Sequence, residues 1–163
     1  MAAAFVFDAT WTIAAPGQAV YEVLAAPDDY PRWWPQIRWA RRIDADSGEL
    51  GARSRLPYTL RMTVRREVED PGRLTLLAAL TGDLVGFSSW QVSPAPAGTG
   101  SDGRPATTAT FRQEVDVTGA ALRIAASLAP AVLRWNHSAM MAAGEQGLRR
   151  YLTDPASPPG GTR

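Results

Sequence analysis

The order of predicted elements constrains the fold of this chain most strongly. Strand-like segments dominate residues 5–117, and one long apolar helix is predicted after them, over residues 119–152. An amphipathic helix that follows an antiparallel sheet must bury its apolar side against that sheet. If the sheet curves around the helix, a cavity is left between them. The order therefore predicts an α+β fold with space for a hydrophobic small molecule.

The hydrophobic pattern places two short helices between the first strand and the rest of the sheet. Alternating apolar and polar residues over 5–13 predict a half-buried strand. Pro16 opens the first predicted helix, and the proline-bounded segment 27–35 predicts the second. The later predicted strands cover residues 37–45, 53–69, 74–80, 84–92 and 109–117. These segments together predict a curved antiparallel sheet of six or seven strands.

Two prolines leave alternatives open in this assignment. Leu56-Pro57-Tyr58 fits either a tight hairpin or a bulge in one long strand, because proline permits both. Pro130 either kinks the long helix or restarts it. Residues 93–107 are rich in Pro, Gly, Ser and Ala and predict a mobile hairpin loop. Residues 154–163 predict a disordered tail, so the folded domain is expected to span residues 1–153.

Composition excludes several classes of function. A net charge of +1 gives no electrostatic reason to expect nucleic acid or an anionic membrane as a partner. With one histidine and no cysteine, we expect no metal site, and we expect no cofactor. The first residues lack signal-peptide character, and no run of 18 apolar residues occurs, so we expect a cytoplasmic protein without membrane insertion. The 17 basic residues are all arginine, which is typical of a GC-rich bacterial genome.

Three local strings, taken in order, resemble one known superfamily. The first is Ala15-Pro16 with the helical residues up to Leu24, and the second is Tyr30-Pro-Arg-Trp-Trp-Pro35. The third is Arg134-Trp-Asn-His137 followed by Gly144-Glu-Gln-Gly-Leu148. Residues 5–152 resemble the helix-grip fold of the START-like superfamily, also called SRPBCC. The third string is similar to its polyketide cyclase/dehydrase-like subgroup.

The resemblance implies a hydrophobic ligand cavity, but it does not imply a reaction, because many members of the superfamily only bind. Our leading hypothesis is therefore binding of a hydrophobic or aromatic small molecule, either polyketide-like or lipid-like. One alternative is a polyketide cyclase, aromatase or dehydratase acting on such a ligand. A second alternative is a co-chaperone-like protein-interaction module, for which an exposed apolar patch would be the distinguishing feature. The oligomeric state stays open.

Three residues are candidates for acid–base or electrostatic catalysis. His137, the only histidine, suits proton transfer near neutral pH, although it can equally be a structural residue bound to a strand carbonyl. Tyr58 can donate its hydroxyl to a ligand or simply pack at the cavity edge. Arg66 shares a strand phase with Leu60 and Met62, so it is predicted to enter the cavity and pair with an acidic ligand. The alternatives are that the strand slips at a bulge, or that Arg66 pairs with a glutamate at the rim.

The remaining predicted site residues lie on the inward strand phases and along the apolar side of the helix. Ser89 and Gln113 are isolated polar groups of the kind that orients a ligand in an apolar pocket, unless they satisfy each other. Asn136 needs a partner, either a ligand carbonyl or the sheet backbone. The full predicted ligand-binding set is Tyr58, Leu60, Met62, Val64, Arg66, Leu76, Phe87, Ser89, Phe111, Gln113, Asn136, His137 and Met140.

Overall fold

Seven antiparallel strands form a single sheet, and a long helix closes the described chain. The computed structural model describes residues 5–97, 103–120, 123 and 129–153. The strands are β1 (Phe5–Ile13), β2 (Ile37–Arg42), β3 (Ser47–Ala52), β4 (Leu60–Asp70), β5 (Thr75–Gly82), β6 (Leu84–Pro94) and β7 (Thr107–Val117). The helices are α1 (Gly17–Leu24), α2 (Tyr30–Trp33), which follows a 3₁₀ turn at Pro27–Asp29, and α3 (Pro130–Thr153). The strand order is β1-β7-β6-β5-β4-β3-β2, so the first and last strands in sequence are neighbours. The predicted α+β helix-grip architecture is confirmed.

Helix α3 begins at Pro130, so the proline starts this helix rather than kinking it. Proline suits the first helical position, where no backbone N–H has to be bonded and its fixed φ already matches the helix. Most of the predicted helical stretch 119–129 lies outside the described residues, as do the tip of the predicted hairpin loop at 98–102 and the predicted tail at 154–163. Leu133, Met141 and Leu148 are the large apolar side chains that α3 buries in the core.

Two glycines let α3 approach the α2 segment more closely than any other residue would allow. A Cβ atom at Gly147 would overlap the carbonyl oxygen of Trp33. At Gly144 it would lie 2.5 Å from the indole ring of Trp34. The Trp34 indole Nε1 donates a hydrogen bond to the Met140 carbonyl at 3.0 Å, in the preceding turn of α3. The two glycines therefore allow the helix to pack directly against Trp33 and Trp34.

Side chains of α3 also protect the free edge of β1. The Thr12 amide donates to Glu145 Oε1 at 3.0 Å, and Arg149 Nε donates to the Thr12 carbonyl at 3.0 Å. Glu145 and Arg149 pair with each other at 2.7 Å. An unpaired strand edge would otherwise expose backbone groups to another chain. The helix thus holds its position along β1 through backbone groups of the sheet.

The connection between β3 and β4 is fastened to α3 by one amide side chain. Asn136 Oδ1 accepts hydrogen bonds from the backbone N–H groups of Arg55 at 2.9 Å and Leu56 at 3.2 Å. The Ser54 hydroxyl donates to the Asn136 carbonyl at 3.2 Å. Since the connection joins two antiparallel neighbours, Leu56-Pro57-Tyr58 belongs to a hairpin rather than to a bulge.

The sequence pattern missed one strand and misplaced the ends of its two neighbours. Strand β2 ends at Arg42, whereas the prediction extended it to residue 45. Strand β3 (Ser47–Ala52) lies between the predicted strands 37–45 and 53–69, and β4 begins only at Leu60. Because β3 contains two glycines and lacks clear alternation, its pairing comes from the neighbouring strands rather than from its own pattern. Within the described residues, no helix has both the length and the apolar character that crossing a membrane requires.

The contact between α3 and Trp33 predicts a specific cost for a small substitution. We expect Gly147→Ala to destabilise the fold by about 2 kcal/mol or more, even though alanine favours a helix over glycine by about 1 kcal/mol. The overlap is with backbone, so no side-chain rotation relieves it. Urea denaturation measures the change. Gln146→Ala, at the exposed neighbouring position, is the control, and equal effects of the two variants would contradict the proposed contact.

The Asn136 contact predicts a second stability effect. Asn136→Ala removes the acceptor of two backbone N–H groups, and we expect a loss of about 1–3 kcal/mol in the free energy of unfolding. Asn136→Asp keeps an acceptor oxygen and should lose less. Hydrogen exchange of the Arg55 and Leu56 amides gives a local measurement. Unchanged exchange in Asn136→Ala would show that this amide does not hold the connection.

Candidate functional site

A cavity of about 210 Å³ lies between the concave side of the sheet, the segment from α1 to α2, and α3. Its apolar wall comes from every layer of the fold: Leu24, Tyr30, Trp34, Ala40, Leu50, Met62, Val64, Leu76, Ala78, Leu80, Trp90, Phe111 and Met140. Two polar residues, Ser88 and Gln113, interrupt this wall in the middle of the sheet. Charged residues gather where the β2–β3 turn meets the end of β4. The site is therefore an apolar chamber with a charged mouth.

Two aromatic side chains of the chamber have their polar atoms bonded to backbone. The Tyr30 hydroxyl donates to the Leu24 carbonyl at 2.7 Å, and burial raises its pKa well above the usual value. Trp34 Nε1 is bonded to the Met140 carbonyl, as described above. The rings of Trp90 and Phe111, which also line the chamber, lie 4.8 Å apart. Tyr30 and Trp34 consequently offer ring surface to a ligand and do not offer a free proton.

Arg66 lies at the mouth, where three protein groups bind its guanidinium. It donates to the Glu69 carboxylate, to the Ala45 carbonyl and to Asp46 Oδ1, the last at 3.1 Å. Its side chain is 39% exposed. Arg66 lines the cavity as predicted, but carboxylates of this chain occupy the donors that were predicted for an acidic ligand. The alternative of a rim ion pair with a glutamate is what the structure contains.

A β-bulge explains how Glu69 reaches Arg66. The register between β4 and β5 shifts between Arg66 and Val68. Beyond this shift Glu69 pairs with Leu76 and Val68 with Leu77, and all four residues line the cavity. Because Leu76 lies on the same face of β5 as Ala78, the partner of Arg66, the shift places Glu69 on the same face of β4 as Arg66. An extra residue in one strand turns the following side chains to the other face.

Seven of the predicted ligand-binding residues line this cavity: Met62, Val64, Arg66, Leu76, Phe111, Gln113 and Met140. Their placement agrees with the predicted strand phases, and their role in binding stays a prediction. The other six, Tyr58, Leu60, Phe87, Ser89, Asn136 and His137, do not line it.

Phe87 and Ser89 have the opposite strand phase to the one predicted. In β6 the inward residues are Ser88 and Trp90, which line the cavity. Ser89 instead pairs with Arg112 of β7 in register, on the outer face. Both faces of β6 carry apolar side chains, so the alternation alone was ambiguous. Trp90 and Val92 are both buried, so the alternation of Ser88, Trp90 and Val92 would have indicated that Ser88 faces inward.

The other misplaced residues are used by the fold. Asn136 is bonded to the backbone of the β3–β4 connection, which is the structural alternative. Tyr58 lies half-buried in the same connection, where burial raises its pKa. Leu60, at the first position of β4, packs against the core. These residues lie at the end of β4 away from the mouth, so they do not converge with Arg66.

His137 lies in an aromatic stack. Its ring is 4.1 Å from that of Phe7 and 5.9 Å from that of Phe111, at interplanar angles of 16° and 25°. No hydrogen bond to its imidazole occurs among the described residues. Burial lowers the pKa of His137 from 6.5 to about 4, so the ring is neutral at physiological pH. It acts as an aromatic side chain behind the cavity wall, and the predicted bond to a strand carbonyl is not formed.

The buried state of His137 predicts a pH dependence of stability. The unfolded chain binds a proton near pH 6.5 and the folded chain only near pH 4, so stability falls as the pH drops between these values. We expect the wild type to lose about 2 kcal/mol more than His137→Phe between pH 7.5 and pH 5. Urea denaturation of both proteins at the two pH values measures the difference. Equal losses would show that His137 is not buried in its neutral form.

Comparisons with known proteins agree with this architecture. The family described as "Polyketide cyclase / dehydrase and lipid transport" matches residues 4–153. A comparison with curated proteins gives no match. Among solved structures, the Zhui aromatase/cyclase from Streptomyces sp. R1128 is similar with a TM-score of 0.64 and 20% sequence identity, over 94% of this chain and 99% of that one.

Two further solved structures are similar at lower identity. A protein from Thermus thermophilus has a TM-score of 0.65 and 14% identity, over 88% of this chain and 97% of that one. A START superfamily protein from Mycobacterium smegmatis has a TM-score of 0.62 and 14% identity, over 88% of this chain and 94% of that one. These likenesses establish the fold. The family match over nearly the whole chain shows that the protein belongs to the polyketide cyclase/dehydrase and lipid transport family.

Proposed function

We propose that the protein binds a hydrophobic or aromatic small molecule in the chamber between sheet and helix, and that it does so without catalysing a reaction. The observation that carries the proposal is the chamber itself, about 210 Å³ in volume and walled mostly by aliphatic and aromatic side chains. Removing apolar ligand surface from water supplies the driving force for binding in such a site. A cytoplasmic location in a bacterial cell is part of the same proposal.

The volume favours a short molecule over a long one. An apolar cavity of about 150 Å³ accommodates benzene, whereas pockets for drug-sized ligands occupy roughly 300–1,000 Å³. The chamber falls between these values. One or two rings, or a short branched chain, therefore fit better than a full-length acyl chain. Within the predicted range of ligands, this favours the polyketide-like end over the lipid-like end.

A cyclase or dehydratase would require groups that converge on one point of the ligand. The three candidates do not converge. Arg66 is bound to acidic residues at the mouth, and Tyr58 belongs to the β3–β4 connection. His137 is stacked on Phe7, with a pKa too low for it to hold a proton near neutral pH. Binding is consequently the function that the geometry supports best.

The protein-interaction alternative has less support. Val132 and Trp135 are exposed on neighbouring positions of α3, and the Trp135 side chain is 54% exposed. The Arg55 guanidinium, however, lies 5.5 Å from the centre of the Trp135 ring. A cation over the face of an indole is a favourable contact within this chain. This pair of residues is therefore weaker evidence for a docking surface than the chamber is for a ligand.

Filling the chamber tests the proposal. Ala78 lines the cavity and Ala79, its neighbour in β5, faces the other side of the sheet. We expect Ala78→Phe to abolish ligand binding while keeping the fold, because the ring occupies space that is otherwise available to a ligand. Ala79→Phe is the matched control and should bind as the wild type does. A bound ligand at 100 times its Kd raises stability by about 2.7 kcal/mol.

The measurement is the thermal shift of the wild type and both variants with a panel of one- and two-ring aromatic compounds and short-chain alcohols. Trp34 and Trp90 line the chamber, so tryptophan fluorescence gives an independent readout. Equal shifts in Ala78→Phe and the wild type would show that the compounds bind elsewhere. A wild type that responds to none of the panel would contradict the proposed function.

A further inference from the structure

One row of side chains crosses the sheet from the cavity mouth to its inner end. In register, Arg66 of β4 pairs with Ala78 of β5, Ala78 with Ser88 of β6, and Ser88 with Gln113 of β7. We call these four residues the inner row. All of them line the cavity. Because neighbouring strands lie about 4.8 Å apart, Gln113 is roughly 14 Å from Arg66 and beyond its reach.

Gln113 is buried and has no partner for its side-chain amide among the described residues. It is 8% exposed, and its strand neighbours of the same phase, Phe111 and Val115, belong to the core. In the part of the chain that the structure describes, no hydrogen bond joins the Gln113 amide to another protein group, and the same holds for the hydroxyl of Ser88. Both side chains line the cavity, so their polar atoms are open to it. An amide and a hydroxyl side by side in an apolar wall can therefore bind a polar group supplied from outside the chain.

These two side chains determine which polar group they can bind. An amide offers both an acceptor oxygen and donor N–H groups, and a serine hydroxyl both donates and accepts. Together they match a neutral oxygen function, such as a hydroxyl that donates to one and accepts from the other. Neither carries the positive charge that a buried carboxylate needs as partner.

The charges at the cavity mouth also disfavour a ligand that carries a carboxylate. The charged residues that line it are Asp28, Asp44, Asp46, Glu49 and Glu69, against Arg42 and Arg66. These charges give a net charge of −3, or −2 when Arg41, which pairs with Glu49, is included. Arg42 is bound to Asp28, and Arg66 to Asp46 and Glu69. An incoming carboxylate therefore meets a net negative surface whose arginines already have acidic partners.

We infer that the ligand is a neutral aromatic molecule with a hydroxyl or carbonyl oxygen, bound at Ser88 and Gln113, and that carboxylic acids are excluded. This inference rests on the proposed function and adds the polar anchor and the charge of the ligand. The sequence alone predicted an acidic ligand bound by Arg66. The inference instead places a neutral ligand at Ser88 and Gln113, at the other end of the inner row.

Three probes of nearly equal shape test the inference: ethylbenzene, 4-ethylphenol and 4-ethylbenzoate, titrated calorimetrically at pH 7.5. We expect the phenol to bind the wild type up to about tenfold more tightly than ethylbenzene, the value of one net hydrogen bond. The benzoate should bind most weakly. Its binding should improve with added salt, because salt screens the repulsion at the mouth.

The variants separate the anchor from the chamber. Gln113→Leu and Ser88→Ala should remove the advantage of the phenol over ethylbenzene. Ser89→Ala, on the outer face of the same strand, is the matched control and should change nothing. If Gln113→Leu fails to fold, the side-chain amide resonances of Gln113 in the wild type provide the test, since the phenol but not ethylbenzene should shift them.

The outcomes distinguish two kinds of failure. Equal binding of ethylbenzene and the phenol, unchanged by Gln113→Leu, overturns the anchor and leaves the chamber as a binding site. Tighter binding of the benzoate overturns the exclusion of acids. If the wild type binds none of the three, the proposed function fails and the anchor fails with it.

Discussion

The structure depends on the close seating of α3 against the α2 segment. Gly144 and Gly147 allow the helix backbone to touch Trp33 and Trp34, and the indole of Trp34 is bonded into the helix itself. This contact fixes the helix at its C-terminal half and at the β1 edge. Asn136 joins the N-terminal half of the helix to the β3–β4 connection at the other side of the sheet. The helix is thus held at both sides, and the cavity lies between it and the middle of the sheet.

The polar residues that hold this arrangement together are different from the polar residues that face the middle of the chamber. The residues that seat α3, cover the β1 edge or fasten the β3–β4 connection have hydrogen bonds or backbone contacts within the chain. The polar residues of the inner row beyond Arg66 have no hydrogen bonds for their side chains among the described residues. Their backbone groups belong to a regular ladder of paired strands. The pairing of these strands therefore does not depend on the side chains of Ser88 or Gln113.

Much of this fold follows from the sequence because most of its elements have a single consistent period. Strands β1 and β7 alternate clearly between apolar and polar residues; β1 has its predicted bounds, and β7 begins two residues before its predicted start. Strand β3 has no such pattern, so it was missed. The phase of β6 was ambiguous because Phe87 on one face and Trp90 on the other are both large and apolar. The register shift between β4 and β5 after Arg66 could not be decided from the sequence for a different reason. A bulge depends on the pairing between two strands and leaves no periodicity in either one.

The candidate site shows where sequence periodicity stops being informative. A polar residue inside an apolar phase, such as Gln113, is visible in the sequence, and its burial follows from its neighbours. Whether such a residue is satisfied depends on contacts between distant parts of the chain. Asn136 finds the backbone of the β3–β4 connection 80 residues away, and Arg66 finds Asp46 and Glu69. Gln113 has no such partner in the described chain, although Asn136, Arg66 and Gln113 were all predicted as polar side chains among apolar neighbours. The difference between Asn136 or Arg66 and Gln113 therefore lies in the tertiary contacts, which no periodicity of the sequence reveals.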